Sequence, residues 1–276
     1  MNDWIVDNLQ NAFNTWNDKL AEIWKLLSES PEKFKGGDIW KTIVIINDAL
    51  KPIGYALLIL FLAMSIFKHT MDFRELKRPE VALKHFIRFV AAKTSITYGL
   101  DIMTTIFGIC NGVVATVADR VGKCTQAVKT PKDVIDKINS ASFGESIPLW
   151  RVTLLGSIVV TIVSCVMRMT VYNRCFRIYM YTALAPIPLA SFAGESTSSS
   201  GKAFIKSYIG VCMEGALIVL ACLIFSAFSS SPPPVDPNAS PITVACSYVA
   251  EALFNMIVLV GLVKGADRVA KEMLGL

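Results

Sequence analysis

Apolar positions recur along this chain in two ways, at helical spacing in the first segment and as long unbroken runs afterwards. In residues 3–27, Ile5, Leu9, Phe13, Trp16, Leu20, Ile23, Trp24 and Leu27 share one helical face, while Asp7, Asn14, Asp18, Lys19, Glu22 and Lys25 fall largely elsewhere. The pattern predicts an amphipathic helix. Its acids come early and it has no long apolar core, so it reads as neither a signal peptide nor a spanning helix. Trp4, Trp16 and Trp24 suit the headgroup region as anchors, and the expectation is a helix lying flat on the membrane. A helix packed on a partner protein has the same pattern. Ser30-Pro31 and Gly36-Gly37 end the segment and separate residues 1–38 from a transmembrane domain over 39–276.

The later runs predict an all-α polytopic bundle with about five spans. The first has its core at residues 53–67 and is preceded by the apolar stretch 43–50, which carries Asn47 and Asp48; a kink is expected at Lys51-Pro52. The second covers about 86–117. In it Lys93, Thr97 and Asp101 recur every four residues on one face. Lys93 and Asp101 lie roughly 12 Å apart along a helix axis, too far to touch, so each needs another partner, water or the interface. They line a conduit or pair spans. Gly108 and Gly112 form a small-xxx-small pair suited to close helix packing. Residues 118–150 form a polar extracytoplasmic loop with a short helix at 133–139, and a third span follows at 152–171. The last two are 208–228, carrying Glu214, and 242–263, carrying Glu251 and Asn255 as further candidate conduit or inter-helix residues. A short amphipathic tail, 264–276, follows.

Between the third span and residue 208 lies the stretch about which the rest is expected to pack. Pro186 and Pro188 each remove a backbone donor and crowd the preceding turn, so a regular helix cannot run through 179–193. Peptide groups freed inside a bilayer need cover from protein or a water-filled cavity. The expectation is a broken, re-entrant segment that turns back at the prolines.

Charge decides the orientation. Lys68, Arg74, Lys77, Arg78, Lys84 and Arg88 face only Asp72, Glu75 and Glu80 in the most basic loop, which belongs in the cytoplasm. Arg168, Arg174 and Arg177 read as a second cytoplasmic cluster. A re-entrant segment brings Lys202, Lys206, Lys264, Arg268 and Lys271 to the same side. This selects about five spans, amino terminus outside and carboxyl terminus in the cytoplasm, with six spans as the alternative.

Composition agrees with a membrane protein: 53% hydrophobic, 18% charged, with a mean hydropathy of +0.51. Seven cysteines occur without a CxxC pair, and His69 and His85 lie near one basic loop, so neither a metal site nor a cofactor is expected. Catalytic signatures fail one by one. Residues 194–202 place Ser196 where a phosphate loop requires glycine, and Leu100 breaks the Gly-x-Gly-Asp of intramembrane aspartyl proteases. No HExxH or GxSxG appears, and a non-enzymatic role is expected.

The order of landmarks resembles one family. The amphipathic start, the basic loop leading into FIRFVAAKTSITYGLDIMTTIFGICNGVV, and YTALAPIPLASF followed by a Ser-rich turn and GKAFIKSYIGVCMEGA are similar to the TrbL-type polytopic inner-membrane subunit of bacterial type IV secretion and conjugal transfer systems. The likeness is clearest over residues 86–215. It implies a membrane channel or platform subunit in a machine that passes DNA or protein across the cytoplasmic membrane. It also implies several copies in the lipid bilayer beside a bitopic scaffold subunit and a cytoplasmic ATPase, with transferred DNA as a partner. A small-molecule or ion permease and a purely structural scaffold are the alternatives. A permease calls for a second broken helix in an internal repeat, and none is evident.

Overall fold

The apolar runs become long helices in the computed structural model of the protein, which describes residues 2–70, 79–121, 130–228 and 240–276. Among the described residues there are no strands. The α-helices are α1 (Asn2–Ser28), α2 (Asp38–Thr70), α3 (Pro79–Thr97), α4 (Gly99–Val121), α5 (Lys132–Asn139), α6 (Phe143–Leu184), α7 (Pro186–Leu189), α8 (Ser198–Phe228) and α9 (Pro241–Met273). Short 3-10 turns occupy Phe34–Gly37 and Ala190–Ala193. Among the described residues five helices are long and apolar enough to cross a bilayer: Asp38–Phe67, Gly99–Val117, Ser146–Leu184, Ser198–Ser226 and Pro241–Met273. The chain is an all-α polytopic membrane bundle, and the number of candidate spans among the described residues is the expected one. Residues 71–78 of the basic loop, Lys123, Cys124 and Lys129, and the proline-rich stretch 229–239 lie outside the described residues.

Two boundaries differ from the expectation. The predicted second span is divided at Tyr98. Only α4 qualifies as a span, because α3 carries Glu80, Lys84, His85, Arg88 and Lys93. The predicted third span is the middle of α6, a helix of 42 residues and so roughly 63 Å long, about twice the hydrocarbon thickness. As expected for one span across Lys51-Pro52, α2 continues through Pro52.

The chain forms two compact units. The first comprises Met1–Ser28, Ala115–Tyr172 and Leu217–Ala266. Here α1 sets the packing: Ile5, Leu9, Phe13, Trp16, Ile23 and Leu27 are buried. Phe13 meets Tyr248 of α9 edge-on at 6.0 Å, and the Asn8 amide donates to Ser157 Oγ of α6 at 3.4 Å. Asn2 Nδ2 donates to the carbonyls of Asn139 and Ala141 just after α5, at 3.3 and 3.1 Å. The expected membrane-lying helix is therefore corrected. Trp16 is 2% exposed and anchors nothing in lipid; Trp4, 45% exposed, stacks on Trp150 at 5.9 Å, and Trp24 is half-buried. An amphipathic stripe shows that a helix needs an apolar surface, and here the chain itself supplies it.

The second unit comprises Glu29–Val114, Asn173–Ala216 and Asp267–Leu276. Leu58, Ile96, Met103, Phe107, Leu189 and Tyr208 fill its core around α7 and the 3-10 turn that follows it. Tyr208 Oη donates to the Met103 carbonyl at 3.0 Å, which seats a polar tip inside an apolar core.

Candidate functional site

Proline chemistry builds the first half of the site. Pro186 and Pro188 have no N–H, so the carbonyls of Thr182 and Leu184 lose the donors that a continuous helix brings four residues on. Helix α6 ends at Leu184 for this reason. Ala185 nevertheless keeps helical angles (φ −50°, ψ −39°), and the chain proceeds as the one-turn α7 and a 3-10 turn.

Contacts with α2 show the direction of travel. Asn47 Nδ2 donates to Thr182 O at 2.8 Å, and a Cβ placed at Gly54 would sit 2.8 Å from Pro186 O. Further along, a Cβ at Gly194 would lie 3.1 Å from Phe61 O, and Glu195 N donates to Ser65 Oγ at 3.3 Å. Partner numbers rise together on both strands of this contact, so residues 182–195 run alongside α2 in the same sense. The break thus falls at the prolines, but the reversal expected there comes at residues 194–197. Thr197 Oγ1 closes that turn on Ser191 O at 2.8 Å, and Glu195 is held by Arg88 and Lys84 at 3.0 and 3.2 Å. Helix α8 then returns antiparallel to α6, with Tyr181 against Phe204 at 5.5 Å.

Asn47 supplies the donor that Pro186 lacks. A buried carbonyl without a partner is costly, and in a membrane interior no water replaces it. Gly54 lets the Pro186 backbone approach α2 more closely than any side chain permits.

Charges on three helices form the other half. Arg174 of α6 is buried, with Nε donating to Val211 O at 3.1 Å and Nη2 to Cys212 O at 3.2 Å. The guanidinium lies over Gly215, where a Cβ would be 2.5 Å from its Cζ. One turn on, Arg177 bridges buried Glu214 at 3.3 Å and Asp267 at 2.7 Å, and Asp267 also holds Lys271 at 2.8 Å. Arg174 and Arg177, expected as part of a cytoplasmic positive cluster, tie α6, α8 and the end of α9 together. The third member, Arg168, belongs to the first unit. It pairs with Glu22 at 2.7 Å, beside Lys19 at 3.1 Å and the Tyr172 hydroxyl at 3.4 Å. Partial burial pushes the Glu22 carboxyl upward, but the Lys19 hydrogen bond and the Arg168 and Lys19 charges outweigh it and hold Glu22 below the ordinary glutamate range.

The remaining predicted residues are not brought together. Lys93 and Asp101 are exposed and have no ion-pair partner among the described residues. Lys93 stands six residues before the first residue of its span, roughly 9 Å along a helix axis, and Asp101 lies in the first turn of α4. Charged side chains at a span end can reach the headgroup region. Thr97 Oγ1 lies 3.0 Å from Tyr55 Oη and donates to Lys93 O at 2.9 Å. Among the described residues a Cβ at Gly108 or Gly112 would meet nothing within 4 Å, and the close approaches fall at Gly54 and Gly215 instead. Glu251 and Asn255 are half-buried on α9.

Sequence reasoning passed over Asn47, Arg174, Arg177, Gly215 and Asp267 as partners. A signal for them existed: arginines at i and i+3 in one apolar helix, facing a Glu-Gly pair in another. An open apolar cavity of about 380 Å³ lies beside the prolines, lined by Met180, Tyr181, Leu184, Ile187, Pro188 and Phe204. Among the described residues no group of three or more His, Cys, Asp and Glu side chains could hold a metal ion.

No curated protein and no solved structure matches the chain. Residues 16–186, which run from the amphipathic first helix to the first of the twin prolines, match the family described as TrbL/VirB6 plasmid conjugal transfer like protein. With more than half of its length matched and five helices able to span a membrane, the chain belongs to the TrbL/VirB6 conjugal transfer family, the multi-pass membrane subunits of type IV secretion systems.

Proposed function

We propose that this protein is a non-enzymatic channel or platform subunit that helps DNA or protein substrate cross the cytoplasmic membrane. In this reading it works in several copies, beside a bitopic scaffold subunit and a cytoplasmic ATPase. The observation that carries it is the family match over residues 16–186, from the second half of the first helix through the basic loop to the first of the prolines. A polar face in search of a partner supports it. Among the described residues Lys93 and Asp101 have no ion-pair partner, which leaves them available to a substrate path or to another subunit.

The same reading includes the orientation. Five alternating spans with the 68–88 loop in the cytoplasm bring Lys202, Lys206 and the carboxyl-terminal basic residues to that side and put the amino terminus outside. The reversal at 194–197, near Lys84 and Arg88, is consistent with it.

Deletion of the gene tests the proposal: conjugal transfer falls to background while growth stays normal, and transfer at wild-type frequency in the deletion strain refutes it. Joint replacement Lys93→Met with Asp101→Asn separates the roles. Lost transfer from a fully assembled complex supports a conduit. Lost assembly supports a platform.

A further inference from the structure

Helices α1 and α6 run side by side in the first unit, and four contacts fix their register. Ser146 Oγ donates to Asn2 Oδ1 at 2.7 Å, the Trp4 and Trp150 rings lie 5.9 Å apart, Asn8 Nδ2 donates to Ser157 Oγ at 3.4 Å, and Arg168 pairs with Glu22 at 2.7 Å. Numbers rise together on both helices, so the two are parallel. The contacts at Ser157 and Arg168 bracket α1 residues 8–22 and set Asn11 and Asn14 level with residues 159–162. That is the middle of the apolar stretch 152–171, and residues 158–167 carry no charge.

At this depth the two helices expose opposite chemistry. Leu155, Ile158 and Ile162 of α6 are 64%, 49% and 56% exposed, as lipid-facing side chains are. On α1 the exposed positions are Asp7, Asn11, Asn14, Thr15 and Asp18, at three- and four-residue intervals on one face. Trp4, near its start, is the one large apolar side chain of α1 exposed among the described residues. Thr15 Oγ1 donates to Asn11 O of its own helix at 2.8 Å. The side chains of Asp7, Asn11, Asn14 and Asp18 have no hydrogen-bond or ion-pair partner among the described residues.

Polar groups at mid-span face protein or water rather than hydrocarbon. Water is the occupant this face fits. Seams between membrane helices use small residues that let backbones approach, and here the positions carry amides and carboxylates instead. Asp7 and Asp18 have no countercharge among the described residues, and an unpaired carboxylate keeps its charge at that depth only where water solvates it. We infer that the polar face of α1 forms one wall of a water-filled path through the membrane, while the exposed side of α6 meets lipid. The composition that bars α1 from lipid is the one such a wall requires. The inference deepens the conduit reading above by naming a wall of the path, and it rests on that reading.

Thiol labelling tests it, in membranes from cells carrying the whole transfer machine and opened so that reagent reaches both faces. In a chain with Cys124 and Cys165 replaced by alanine, Asn11→Cys, Asn14→Cys and Thr15→Cys are compared with Ile158→Cys and Ile162→Cys at the same depth, each above the background of the parent chain. The probe is a charged, membrane-impermeant methanethiosulfonate. The α1 positions react, and the α6 positions react at least about tenfold more slowly, because apolar surroundings suppress the attacking thiolate. Where a variant does not fold, the wild type serves. A water-soluble carbodiimide with glycinamide then amidates Asp18 in the 1–19 tryptic peptide, while a lipid-dissolved diazirine marks the 152–168 peptide. Silent α1 positions, or an Asp18 left unmodified, overturn the inference, since lipid or another subunit then covers the face. Equal labelling on α1 and α6, or no diazirine on residues 152–168, overturns it too, since the pair then lies outside the bilayer. The readout is chemical labelling, so failure here is distinct from failure of the conjugation reading, which transfer frequency decides.

Discussion

Asn47 and Pro186 are separated by 139 positions in the chain, and the structure makes them two halves of one hydrogen-bonding problem. Replacing Asn47 by leucine, of similar volume, removes the donor to Thr182 O and leaves that carbonyl bare in a buried setting. An unmet buried acceptor costs about 1–3 kcal/mol. Part of this is offset, because Asn47 Oδ1 is itself buried without a partner and leucine removes it too. The net cost expected for Asn47→Leu is therefore about 1–2 kcal/mol. Pro186→Ala restores an N–H four residues after Thr182, and in that background the same substitution is close to neutral. The two changes should couple by about 1–1.7 kcal/mol, the upper end of what hydrogen bonds between membrane helices show. Reversible unfolding in mixed detergent micelles, measured for the wild type, both single variants and the double variant, gives the coupling directly. A coupling below about 0.5 kcal/mol, the ordinary limit of additivity, refutes the claim that the amide replaces the missing donor.

Gly215→Ala puts a methyl where Arg174 Cζ now lies 2.5 Å away, so the guanidinium must leave the Val211 and Cys212 carbonyls; a loss of about 2–3 kcal/mol is expected in the same unfolding assay. Arg177→Gln strips a buried carboxylate of its partner and destabilises by about 3–5 kcal/mol, whereas Asp267→Asn costs less because Arg177 keeps Glu214. Equal effects would show that Arg177 does not bridge the two acids. Glu22, held below the ordinary glutamate range, contributes stability that is fully present above its unfolded-state value and is lost as pH falls through the lowered folded value. Glu22→Gln should lower stability near neutrality and flatten that acid limb, while leaving stability unchanged at the acid end where Glu22 is already protonated. A green fluorescent protein fused after Leu276 should fluoresce, and a dark, translocated fusion would reverse the orientation proposed above.

Chain pattern alone determined the class of this protein. Runs of some twenty apolar residues have one stable home, and inside a bilayer every backbone group in them must be paired within a helix. Five spans, the short helix at 132–139 and the break at Pro186 follow from these local rules. What the chain could not state is the identity of each partner. The stripe from Ile5 to Leu27 required an apolar surface, and only the fold shows that surface to be the protein's own. Arg174 and Arg177 looked like a topology signal because positive charge beside a span end has that meaning on average. Glu214, Gly215 and Asp267, placed next to them by the antiparallel return of α8 and α9, give them another. The turn at 194–197 escaped notice for a related reason. Proline forbids a hydrogen bond locally, but the direction taken afterwards depends on which neighbour covers the freed carbonyl, and that neighbour, Asn47, lies on another helix.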